Sequence, residues 1–175
     1  MLKAFGRLLF LLVLLPLALQ AQTCKPESIP ATTPNSRYVD QGDGTVTDKT
    51  TGLMWKRCAE GQYWDVLAAT CKGNAYQLNW LVALKRSDIN NQLLFAGKTD
   101  WRVPSIKELA SLVEEQCIAP AINLTIFPAT EPTLFWSSSP LVNAYAGHVW
   151  LIQFRDGNDI RNRKDITASV RLVRG

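Results

Sequence analysis

Four cysteines, Cys24, Cys58, Cys71 and Cys117, constrain this chain more than any other feature, because all of them follow an apolar leader. Lys3 and Arg7 precede an apolar run from Leu8 to Leu19, and small and polar residues close it at Ala18, Ala21 and Gln22. A charged start, an apolar middle of roughly a dozen residues and a small-residue exit describe a secretory signal peptide, with cleavage expected after Ala21. The run falls short of the about 20 apolar residues that a membrane span needs, and no second such run follows. An even number of cysteines in an exported chain reads as a disulfide set. Three pairings are open. Cys58–Cys71, a short loop, and Cys24–Cys117, which ties the start of the mature chain to the body, are the favoured ones. A zinc site of all four cysteines is the alternative, but no C-x-x-C knuckle is present.

Removing the leader takes Lys3 and Arg7 from the 19 Lys and Arg, which leaves 17 against 15 Asp and Glu, or +2. Charge this small gives no reason to expect nucleic acid as a partner of an exported chain. The late segment is locally basic, with Arg155, Arg161, Arg163, Lys164, Arg171 and Arg174 against Asp156, Asp159 and Asp165.

Residues 22–36 contain Pro26, Pro30 and Pro34 and read as an extended lead-in; residues 37–175 are the size of one domain. Arg37–Val39, Thr45–Thr47 and Leu53–Lys56 are β-prone runs separated by turns, which makes a meander. The first turn lies in DQGDGTVTD (Asp40 to Asp48). Its carboxylates invite calcium, but an EF-hand-like loop needs ligands at alternating positions and glycine at the sixth. Counted from Asp40, the third and fifth residues are Gly42 and Gly44, and the sixth is Thr45. A tight hairpin fits better, since Asp-Gly supplies positive φ. Asn79 is a plausible cap for a helix from Trp80 to about Asn90, with Trp80, Ala83 and Leu84 on one face. Ser105 and Glu108 form a capping box for a second helix, whose inward stripe is Ile106, Leu109, Ala110, Leu112 and Val113. Strands return at Phe135, Val149–Phe154 and Ser169–Val173. Strands, two helices and strands again make an α+β order rather than a βαβ repeat.

The stretches RYVDQGDGTVTDKTTGLMWKRC, TDWRVPSIKELASLVE, FPATEPTLFWSSSP, VWLIQFRDG and VRLVRG resemble, in order and spacing, the Lcl C-terminal domain family, named after a collagen-like bacterial adhesin. The resemblance covers about residues 36–175. It implies a C-type lectin-like fold: short antiparallel strands, two flanking helices and an irregular C-terminal half that carries a ligand surface. Leu53–Lys56 would then lie near Ser169–Val173. It also implies an exported bacterial surface protein, since the namesake resembles an adhesin for sulfated polysaccharides. Fold does not fix function.

The residues give little support to catalysis, and no catalytic residue, metal ligand or cofactor is assigned. His148 is the only histidine, there is no G-x-S-x-G elbow, and Ser137–Ser139 reads as a strand-end turn. Formylglycine-generating enzymes have a related fold but need late reactive cysteines, and none follows Cys117 here. The calcium lectins' sugar motif is also missing, with Glu131-Pro132-Thr133 in place of Glu-Pro-Asn. A binding surface is the better expectation. In Val149–Phe154, alternation puts Trp150, Ile152 and Phe154 inward and Leu151, Gln153 and Arg155 outward. Tyr145, His148, Gln153, Arg155, Asn158, Arg161 and Arg163 would form a face for a glycan or protein ligand, because Arg pairs bidentately with sulfate or carboxylate. Trp55, Trp80, Trp101, Trp136 and Trp150 are assigned to the core. A structural domain of an envelope assembly, oligomeric and without a ligand of its own, is the alternative.

Overall fold

The computed structural model describes residues 21–175, so the proposed leader, apart from Ala21, lies outside the described residues. The elements run β1 (Thr23–Cys24), β2 (Tyr38–Asp40), β3 (Thr45–Asp48), β4 (Met54–Lys56), β5 (Tyr63–Asp65), β6 (Thr70–Lys72), α1 (Trp80–Gln92), α2 (Ile106–Ala110), β7 (Cys117–Ile118), β8 (Leu134–Pro140), β9 (His148–Gln153), β10 (Asn158–Arg163) and β11 (Val173–Arg174). They make a four-stranded sheet β11-β4-β3-β2, a three-stranded sheet β10-β9-β8 and two short ribbons, β5-β6 and β1-β7. All ladders between these strands are antiparallel. The architecture is mixed α+β. Among the described residues no helix is long and apolar enough to cross a membrane.

The first turn of the meander forms as its glycines demand. Gly42 and Gly44 take φ of +78° and +87°, and Asp40 in β2 faces Val46 in β3. The carboxylates are spent locally. Asp40 Oδ1 accepts from the Gly42 N–H, Asp43 Oδ1 from the Thr45 N–H and hydroxyl, and Asp48 from the Arg37 guanidinium. Gly44 has a second duty. A Cβ there would meet Trp64 Cβ at 2.8 Å, and the Trp64 ring lies 4.0 Å from the Arg57 guanidinium carbon. Gly44→Ala is therefore expected to lose about 2–4 kcal/mol, from a left-handed backbone plus a forced repacking. Gly42→Ala, with nothing within 4 Å, should lose only about 1 kcal/mol. Urea unfolding of the two variants checks this; equal midpoints would contradict the contact with Trp64.

Both helices start where their caps place them. Asn79 Oδ1 accepts from the Val82 N–H, and the Ser105–Glu108 capping box has both of its hydrogen bonds. α2 is shorter than its apolar stripe, however. After Ala110 the chain continues in i→i−3 turns that still bury Leu112, while Ala110 itself is exposed.

Two disulfides close, Cys24–Cys117 and Cys58–Cys71, with no free cysteine, as the favoured pairing has them. The lead-in is built into the body. β1 pairs with β7, and Gln22 Nε2 donates to the carbonyls of Pro120 and Ile122 at 2.7 Å each. The buried Glu114 carboxylate accepts from the Thr32 and Thr33 N–H groups and from the Thr33 hydroxyl. At the other end β11 pairs with β4 (Val173↔Trp55), which places the terminal strand beside Leu53–Lys56 as the resemblance implies.

Two apolar clusters lie on opposite sides of β9. Trp55, Leu109, Phe127, Phe135, Ile152 and Phe154 belong to one. Trp101, Trp136, Val149, Leu151 and Leu172 belong to the other. This corrects the alternation expected for Val149–Phe154. Leu151 is fully buried rather than outward, and Trp150 is only half-buried. Leu151, Ile152 and Phe154 are covered on both faces of the strand, so period-two reasoning has no solvent side to find there, whereas His148 and Trp150 at its start stay half-buried. Trp55, Trp101 and Trp136 are core residues, whereas Trp80 is half-buried at the edge of the second cluster.

Candidate functional site

The β9–β10 hairpin pairs in regular register: Asn158↔Gln153, Asp159↔Ile152, Ile160↔Leu151, Arg161↔Trp150, Asn162↔Val149 and Arg163↔His148. Directly paired residues of an antiparallel ladder point to the same face. His148, Trp150, Arg161 and Arg163 therefore share one face, and Gln153 and Asn158 share the other. The seven expected ligand residues are split accordingly. Tyr145, His148, Arg161 and Arg163 come together. Gln153 and Asn158 lie at the turn end of the hairpin on the opposite face. Arg155, in the turn itself, borders a cleft with Ile118 and Ala119.

The assembled group is aromatic and cationic. Arg161 places its guanidinium carbon 4.3 Å from the Tyr145 ring centroid, and Tyr145 meets His148 edge-on at 5.9 Å. The Arg161 side chain makes no hydrogen bond or ion pair among the described residues, so its guanidinium N–H donors are unspent. Arg163 Nη2 and Nε reach Asp165 Oδ2 and Oδ1 at 2.6 and 3.0 Å. That pairing holds the Asp165 carboxyl below its ordinary range. Both partners are more than 60 % exposed, and a pair so exposed is a weak lock that an anion can replace. His148, Arg163, Lys164 and Asp165 line one open cleft with Gly147. The buried His148 Nδ1 has no hydrogen-bond partner. Trp150, Lys164 and Asp165 were missed as site residues by reading along one strand; pairing 148–153 against 158–163 would have found the first.

A second cluster of titratable groups is internal. Lys56 Nζ donates to Glu60 Oε1 at 2.5 Å and Asn90 Oδ1 at 2.7 Å, with the Phe95 ring 4.2 Å away. Glu60 Oε2 accepts from Arg86 Nε and Asn90 Nδ2. Burial draws the Lys56 ammonium below its ordinary value, against the pull of Glu60. Every member is bonded within the cluster, which joins α1 to the base of the β5–β6 hairpin. The serines of β8 are also engaged. Ser137 Oγ donates to the Trp150 carbonyl, Ser138 Oγ to that of Pro104, and Ser139 Oγ accepts from the Ile106 N–H.

The molecule is thus a small, doubly cross-linked α+β domain that carries a cationic and aromatic hairpin face. Gly44 to Arg174 matches the family model of the Lcl C-terminal domain, and the chain belongs to that family. No curated protein matches the chain.

Proposed function

We propose that this is an exported, non-enzymatic binding domain of C-type lectin-like form, which takes an anionic extracellular ligand on the face of Tyr145, His148, Trp150, Arg161 and Arg163. A sulfated or carboxylated polysaccharide suits that face best. The observation that carries the reading is Arg161, held by stacking on Tyr145 with its donors free and Arg163 two residues away on the same face. An arginine oriented this way loses little entropy on pairing with a sulfate or carboxylate, and the aromatic rings offer apolar area for sugar faces. Export is supported by the leader and by both disulfides. The lectin-like form is supported by the pairing of β4 with the terminal strand.

Binding to heparin-like polymers in low salt is expected to weaken as salt rises, since exposed charges are screened. Arg161→Ala/Arg163→Ala should reduce affinity roughly 100-fold, taking about 1.5 kcal/mol for each charge-assisted contact. Arg155→Ala, outside the cluster, should change it little. Equal losses in the two variants would sink this placement of the ligand, and no binding to sulfated or uronic polymers at low salt would sink the polysaccharide. The alternative of an assembly domain is favoured by a separate observation, the apolar outer face of α1.

A further inference from the structure

The outer face of α1 is apolar where a solvated helix would be polar. Leu81, Val82, Ile89 and Leu93 are exposed, Leu93 to 74 %. At 3.6 residues per turn these positions fall on one side of the helix, opposite the buried Ala83 and Asn90. Lys85 and Asp88 are exposed on that same side. Neither makes an ion pair or a side-chain hydrogen bond among the described residues.

We propose that this face is the interface of a two-fold dimer, occupied by a second copy of the chain. A two-fold axis across the helix near Ser87 lays the two α1 helices antiparallel. Val82, Ile89 and Leu93 then face the second copy, and Lys85 lies within reach of Asp88 of the second copy, twice over. A stripe with charge of one sign would repel its own copy. This one is self-complementary, as an isologous contact requires. One helix face alone falls short of the about 800 Å² per partner of a standard interface, so the contact is a weak and reversible one. This interface does not use Arg161 or Arg163, so it stands whether or not that face binds a polysaccharide.

Sedimentation of the disulfide-bonded protein across a micromolar concentration series is expected to show a monomer–dimer equilibrium. Lys85→Asp and Asp88→Lys should each raise the dissociation constant at least about tenfold, because each sets like charges against one another twice. An equimolar mixture of those two variants should regain the dimer, since each then offers the charge that the other lacks. Leu93→Glu should give a monomer, and circular dichroism of these exposed-site variants should match the parent. A parent protein that stays monomeric throughout overturns the proposal. So does a dimer indifferent to Lys85→Asp, or a mixture that remains monomeric.

Discussion

Arg171→Met is expected to lower stability by about 4 kcal/mol, because two interior carbonyls lose their donor at about 1–3 kcal/mol each. Arg171 is fully buried. Its Nη1 donates to the carbonyls of Lys56 and Arg57, and its Nη2 to Thr130 Oγ1 at 2.7 Å. The guanidinium carbon lies 4.9 Å from the Phe127 ring centroid and 5.8 Å from that of Phe135. All these acceptors are neutral, so no carboxylate offsets the buried charge. Burial, with the nearby Arg57 charge adding to it, pushes the group down to about 9, and it remains charged at neutral pH. Met fills much of the space between the rings but leaves two interior carbonyls without a donor, each a loss of about 1–3 kcal/mol. Arg171→Lys keeps the charge but places a single ammonium where a planar fork reaches three acceptors, and should lose about 2 kcal/mol. Urea unfolding at neutral pH ranks the three proteins. A Met variant as stable as the parent would show that the fork is dispensable.

Arg171 also shows where reading the sequence stops. It stands among the late basic residues as though it belonged to a charged surface, yet it lies in the core, and Arg174 pairs with Asp100 at 2.6 Å. Charge type does not reveal burial when the partners are backbone carbonyls more than a hundred residues away. Local signals fared better. The Asp-Gly turn, the Asn79 cap and the Ser105–Glu108 box each depend on residues within four positions, and each forms. The β5–β6 hairpin escaped notice because its strands have three residues each and its turn, Val66 to Ala69, contains neither Gly nor Asn; Ala69 takes a positive φ of 48°. The candidate site was legible in composition but not in geometry. Polar character alone groups Tyr145, His148, Arg161 and Arg163 with Gln153, Arg155 and Asn158, because alternation along one strand cannot tell which face the partner strand supplies. The ladder register decides that, and it joins Arg161 to Trp150 rather than to Gln153.

Removing Cys24–Cys117 should destabilise the protein more than removing Cys58–Cys71, although the first lies at the edge of the fold. The separations are 93 and 13 residues. In the chain-entropy account, a cross-link over the longer loop restricts the unfolded ensemble by about 4–5 kcal/mol and one over the shorter loop by about 3 kcal/mol. The native contacts around Cys24 reinforce the difference, because Gln22, Thr32 and Thr33 are bonded to the 113–122 segment that Cys117 belongs to. Without the cross-link these bonds hold the lead-in alone, and its ends gain freedom only after they break. The short loop opposes this order in one respect: it frames the hairpin whose Trp64 packs against Gly44 and Arg57. Opening it should therefore loosen Trp64 locally before the domain unfolds. Non-reducing denaturation of Cys24→Ser/Cys117→Ser and Cys58→Ser/Cys71→Ser variants separates the two effects. The first pair should show the lower unfolding midpoint. The second should show an early change in tryptophan fluorescence that precedes loss of the far-ultraviolet signal. The reverse ranking of midpoints would mean that native packing around the hairpin, rather than the entropy of the unfolded chain, sets what each bond contributes.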